Sequence, residues 1–169
     1  MNQGQTVTPR IHSEGAVSLD IRSGRVESTS VKETIAALAQ MEDWPSLWRL
    51  ADSMSREVSI LFDAEGSVWV DIGTRGHVSL APPVGAVIPF RLWIHTHPWD
   101  PYWSQTDKDT LASYSTILQS ALVLGHDRMK WARHGSPKES IESTGPLSSW
   151  SSEPCVYYPK NSEETREGF

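Results

Sequence analysis

Residues 94–111 read IHTHPWDPYWSQTDKDTL and hold a strand end, a chain reversal and a helix start within eighteen residues. His95 and His97 stand two apart. On a strand, residues i and i+2 project from the same face, about 6.6 Å apart at ~3.3 Å rise per residue. Two such imidazoles can reach one zinc ion at ~2.0–2.1 Å. Pro98 stops the strand at once, and a loop through Pro101 leads into a helix predicted over residues 105–120. Ser104 is placed as its N-cap and Asp107 in its first turn. A carboxylate there can return over the strand end as a third ligand. Three protein ligands leave one position open, as in catalytic zinc sites. Asp109 and Asp100 are the other carboxylates nearby, but Asp109 faces elsewhere on the helix and Asp100 lies in the loop before the cap. Each piece also has a structural reading. Two histidines on a strand can be satisfied core residues, and Ser104 with Asp107 is a capping box whatever else it does.

Upstream, REVSILFDAEGSVWVDIG alternates Val58, Ile60 and Phe62 with Glu57, Ser59 and Leu61. That is strand period, and Asp63 to Gly66 supplies the turn of a hairpin returning through SVWVDI. A further turn at Gly73–Gly76 and a short strand at HVSL are expected after it. Pro82, Pro83, Gly85 and Pro89 argue against a long helix before the strand RLWIHTH. Earlier still, Ser30 with Glu33 reads as a capping box before a helix of about residues 31–41. Pro45 and Ser46 open another over about 46–54. Residues 1–28 form a polar N-terminal segment in which AVSLDIRSGRV holds a short hairpin turning at Ser23-Gly24. Downstream, ALVLG and MKWAR form a strand pair about a turn at His126-Asp127. These elements define an α/β (α+β) domain over residues 29–134. Residues 135–169 are dominated by Ser, Pro, Glu and Gly and are expected to be a flexible or loosely docked tail, with VYYP at 156–159 able to dock.

Composition narrows the function. The 169 residues carry 15 Lys+Arg against 21 Asp+Glu, a net charge of -6, which disfavours nucleic acid and anionic membranes as partners. A single cysteine, Cys155, excludes an intrachain disulfide framework and a multi-thiolate zinc site. The opening MNQGQTVTPR has no basic segment leading into an apolar run, and no apolar stretch approaches the ~18–20 residues of a membrane span. A cytoplasmic protein is the resulting expectation.

The order His95-Thr96-His97-Pro98, then Ser104 and Asp107, resembles the signature of the JAMM (JAB/MPN, Mov34-type) zinc metalloproteases. That family includes deubiquitinating isopeptidases, prokaryotic JAB domains and RadC-like proteins. The resemblance spans about residues 55–134, and REVSILFD…DIGTRGHVSL is reminiscent of the RadC-like members. It implies a cytidine-deaminase-like mixed sheet flanked by helices. It also implies a Zn2+ ion held by His95, His97 and Asp107, with Glu57 as general base and Ser104 as hydrogen-bond donor to a developing oxyanion. Glu65 is the alternative base, but it sits in a turn where a solvated charge is expected. The family loop places Ser eight and Asp eleven residues after the second His; here they fall seven and ten residues after His97. The implied substrate is a protein or peptide, such as a ubiquitin-like conjugate. A non-catalytic MPN-type scaffold and a RadC-like role in DNA processing are the alternatives. Of the 8 tryptophans, Trp99 and Trp103 flank the proposed metal and could wall an extended peptide. Trp93 and Trp69 read as packing, and His77 and His126 as turn residues.

Overall fold

Alternation along the strands divides the sheet into two differently built faces. The computed structural model describes residues 5–73, 83–136 and 138–159. Within them lie helices α1 (Glu14–Arg22), α2 (Thr29–Gln40), α3 (Trp44–Met54) and α4 (Gln105–Ser113). The strands are β1 (Val58–Phe62), β2 (Val68–Ile72), β3 (Leu92–Thr96), β4 (Ser120–Leu124), β5 (Arg128–Arg133) and β6 (Val156–Tyr157). A 3-10 turn covers Pro146–Ser149. The sheet is mixed, in the order β2-β1-β3-β4-β5-β6. Only β3 and β4 run parallel, joined by a crossover through α4; every other pair is antiparallel. The architecture is therefore α/β with helices on both faces, as the sequence indicates. No helix among the described residues is long and apolar enough to cross a membrane.

Val58, Ile60, Phe62, Val68, Val70, Ile94, Leu122 and Leu124 pack under α1–α3 against Val31, Ile35, Leu38, Leu47 and Leu50. The opposite face carries Leu61, Trp93, Ala121, Val123 and Ala132, covered by Leu111 of α4, Trp103, Leu147 and Trp150. The β1–β2 hairpin forms as expected. Asp63 Oδ1 accepts from the backbone N–H of Glu65 and Ser67, and Gly66 turns at φ 83°, a left-handed conformation that glycine reaches without strain.

Several sequence expectations are corrected. The segment read as a hairpin at 16–26 is α1. Ser13 caps it by accepting from Ala16 N–H, Glu14 and Arg22 sit at the ends that suit the helix dipole, and Val17 is buried. Helix α2 begins two residues earlier than expected: Ser28, not Ser30, is its cap, accepting from Val31 N–H. Ser30 donates instead to Asp20 and Glu33 meets His12. Asp43 caps α3, with Pro45 in its first turn. Helix α4 stops at Ser113 rather than near 120. Beyond it Ser115, Thr116 and Ile117 are poor helix formers, and Leu118 bridges to Phe90 beside β3. In the stretch expected to be a flexible or loosely docked tail, Trp150 is wholly buried and donates to Leu111 O, and Tyr158 of the VYYP stretch is buried and donates to Gly125 O. In the N-terminal segment, Val7 N–H donates to Val68 O of the edge strand β2. The expected HVSL strand, most of the Gly73–Gly76 turn and His77 lie outside the described residues.

Candidate metal centre

Strand β3 supplies Trp93 and His95 to the α4 face, and His97 follows just past its end. His97 N–H continues the parallel ladder by donating to Leu124 O at 2.9 Å. Its carbonyl accepts from Trp48 Nε1 of α3 at 2.8 Å, so His97 is fixed from both layers. The loop then turns into α4 through a complete capping box. Ser104 Oγ accepts from Asp107 N–H at 3.1 Å, and Asp107 Oδ2 accepts from Ser104 N–H at 3.0 Å. That box aims the carboxylate at the strand end. His95 Nε2 lies 3.0 Å and His97 Nε2 3.1 Å from the same Asp107 Oδ2. His95, His97 and Asp107 are 0, 6 and 4% exposed. One donor atom from each lies within 4.8 Å of the others.

A divalent cation fits this donor set. His97 makes a true hydrogen bond to Asp107. His95 Nε2 comes as close but off line, and both ring nitrogens of His95 are buried without a hydrogen-bond partner among the described residues. Orphaned buried nitrogens are costly, and coordination of Nε2 would relieve one of them. Tetrahedral ligands at ~2.0–2.1 Å stand roughly 3.3–3.4 Å from each other, and the two His–Asp107 spacings of 3.0 and 3.1 Å are near that value. Burial lowers the pKa of His95, against the opposing pull of Asp107, and a neutral imidazole is the form that binds metal. Burial alone would raise the Asp107 carboxyl. Its contacts with His95 and His97 outweigh that and hold it well below the usual carboxylate range.

Glu57 lies at the start of β1. Ser59 stands opposite His95 across the antiparallel β1–β3 pair. The pairing stops there, and Glu57 lies two residues before Ser59, in the same strand phase. There Val58 N–H leaves the ladder and donates to Thr96 Oγ1 at 2.9 Å. Glu57 is 8% exposed. Burial pushes its carboxyl up to about 7, with His97 lowering it and Asp107 raising it.

The aromatic residues sort differently from the sequence reading. Trp99 is 70% exposed, but Trp103 is buried, its ring 5.7 Å from that of His95. Trp103 therefore packs beside His95 and does not form the exposed wall expected of it. Tyr102, passed over in the sequence, is 55% exposed with its ring edge-on to His97 at 4.8 Å. Trp93 does more than pack: it stacks on His95 at 4.3 Å and 12° and donates from Nε1 to Ser59 Oγ. Its place two residues before His95 puts it on the ligand face, the one signal that could have found it. Asp100 pairs with Arg128, Asp109 accepts from Gln105, and Glu65 is an exposed turn residue. None of the three joins the centre. His126 meets Trp48 edge-on at 5.0 Å and lies tilted to Trp99 at 6.3 Å.

The centre is defined by converging donor atoms rather than by a large hollow. A cavity of about 230 Å3 lies at the β2 edge, lined by Val7, Lys32, Ser59, Trp69 and Asp71. A small one of about 30 Å3 touches His97 between Trp48, Arg56 and Thr96, room for a water. No model of a known protein family, no curated protein and no solved structure matches the chain.

Proposed function

We propose that the chain is a JAMM/MPN-type zinc metalloprotease domain, a hydrolase cleaving a peptide or isopeptide bond. The observation that carries this reading is the convergence of His95 and His97 Nε2 on Asp107 Oδ2, with Glu57 buried at the start of β1, where His97 and Asp107 act on its carboxyl. His95, His97 and Asp107 would hold the ion. Bound there, zinc supplies Lewis acidity, which acidifies water and polarises a carbonyl. Glu57, its carboxyl raised to about 7, takes the proton from the attacking water at a carboxylate oxygen. It then returns that proton to the leaving amine. Ser104 Oγ already accepts from Asp107 N–H, and its own hydrogen is the one offered to the oxyanion. Trp99 and Tyr102 form the exposed aromatic wall beside the ligands and favour an apolar side chain next to the scissile bond. The substrate class is a protein or peptide, with a ubiquitin-like conjugate the form the resemblance suggests.

The test is elemental analysis of purified protein beside a His95→Ala variant, with chelator-sensitive cleavage of a peptide library and of a ubiquitin-like conjugate. Stoichiometric zinc lost in the variant supports the reading. Protein that neither holds nor takes up zinc removes it. One observation favours a second reading, a non-catalytic binding domain on the same fold. The capping box and the histidines give Asp107 Oδ2 three close partners without any metal, so the cluster is also a coherent structural network.

A further inference from the structure

We propose that Gly125, in the turn after β4, is a positioning residue of the metal centre: its missing side chain seats the backbone of Trp99–Pro101, and that seat sets where Ser104 and Asp107 stand relative to His95 and His97. The inference rests on the metal-centre reading. A β-carbon built on Gly125 would lie 2.5 Å from Pro101 Cδ, 2.6 Å from Trp99 O and 2.7 Å from Pro101 N. Two of these are backbone atoms and the third belongs to a closed ring, so no rotamer change relieves the clash. Gly125 cannot withdraw either. Its N–H donates to Arg128 O at 2.8 Å and its carbonyl accepts from Tyr158 Oη at 2.5 Å, while the neighbouring His126 N–H donates to Trp99 O at 2.7 Å. Its φ lies outside the left-handed region. A side chain is thus excluded by space and not by backbone strain.

The seated loop is short. Six residues, Pro98–Trp103, separate His97 from Ser104. His97 is anchored to Leu124 and Trp48, and Cys155 Sγ donates to Pro101 O at 3.4 Å. A push at Trp99–Pro101 is therefore passed along the chain to Ser104, and through its capping box to the Asp107 carboxylate.

The experiment uses the full chain, stripped with chelator and titrated with Co2+ and with Zn2+. Long-range 1H–15N imidazole spectra of the metal-free protein are recorded alongside. Gly125→Ala is compared with Asp107→Ala and with Gly135→Ala, a control whose φ of 73° adds backbone strain while its new methyl group meets nothing within 4 Å. Gly125→Ala is expected to unfold cooperatively, to lose about 10–100-fold in cobalt affinity, and to shift the His95 and His97 signals toward those of Asp107→Ala. Gly135→Ala should keep both at wild-type values. Wild-type affinity together with unshifted imidazoles in Gly125→Ala overturns the proposal. If the wild type binds neither metal, the metal-centre reading fails by itself; shifted imidazoles then still support the positioning role and unshifted ones overturn it. Should Gly125→Ala not fold, Pro101→Ala empties the seat from the loop side. Weakened cobalt binding in that folded variant supports the role, and unchanged binding overturns it.

Discussion

The two faces of the sheet are made from the same strands and do opposite things. On the α1–α3 face, Val58, Ile60, Ile94, Leu122 and Leu124 are all wholly buried aliphatics. One residue out of phase, Glu57, Ser59, His95 and His97 occupy the other face, with Asp107 descending from α4. The first face gains from removing apolar area from water. The second bears the cost of burying polar groups, offset there by hydrogen bonds, ion pairs and stacking. A period of two thus lets one backbone hold stability and chemistry back to back, each open to change without the other.

The sharpest way to break this division is Glu57→Gln. Loss of the base should lower turnover by ~10²–10⁴-fold while metal content stays stoichiometric; retained turnover in steady-state assays would remove Glu57 from the mechanism. Ile60→Ala, one strand pleat away on the aliphatic face, should do the converse. It should cost ~2–5 kcal/mol of stability in denaturant titration and leave cobalt affinity unchanged. A large change in affinity would mean that the faces are coupled.

The pH dependence of metal-free protein separates the faces again. The Glu57 carboxyl is raised from 4.5 to about 7 on folding. Stability from its protonated form is therefore full below about pH 4.5 and lost as pH rises through 7, on the order of 3 kcal/mol in all. Glu57→Gln should match the parent near pH 4.5 and exceed it in stability at pH 8. Parallel stability curves would refute this. His95 acts in the opposite sense. Its lowered pKa means stability held above about pH 6.5 and lost as acid protonates the ring.

Ser104→Ala sharpens the comparison further, because Ser104 is the helix cap and the proposed oxyanion donor. A pure cap predicts a loss of about 1 kcal/mol with turnover unchanged; an oxyanion donor predicts a drop of about a hundredfold or more in kcat. Melting curves and turnover on the same sample decide. The smallest effect belongs to Trp48→Phe, which deletes the hydrogen bond from the helical layer to His97 O. It should cost about 1 kcal/mol, with a measurable fall in cobalt affinity if α3 helps hold the ligand.

The ligand segment was legible because its signals are local. Two histidines at strand spacing, a proline stop and a Ser-x-x-Asp helix start lie within thirteen residues, and the capping box forms as that spacing implies. The placing of Glu57 on the phase opposite Val58 and Ile60 was legible in the strand alternation, although its burial was not. The errors share a different cause. In AVSLDIR an apolar residue at every second position mimics a strand, while the spacing of Val17 and Ile21 suits a helix lying on α2; contact, not pattern, chose between them. The tail held too few apolar residues to suggest order, yet Leu147, Trp150 and Tyr158 each found a prepared site. Trp103 and Tyr102 are neighbours, and nothing local says which ring turns inward.

What the residue order determined unaided was the chemistry available: two imidazoles, one capping carboxylate, one upstream glutamate, and the alternation that puts them on a common face. Those properties follow from backbone geometry over a few residues. Tertiary structure alone decided which side chains were paired and which left orphaned. The β1–β3 register sets Ser59 opposite His95, Trp93 stacks His95, Trp48 grips His97 from the far layer, and Gly125 yields its space to the loop before α4. Each joins segments far apart in the chain, where packing space and the satisfaction of buried polar groups, rather than local preference, select the arrangement.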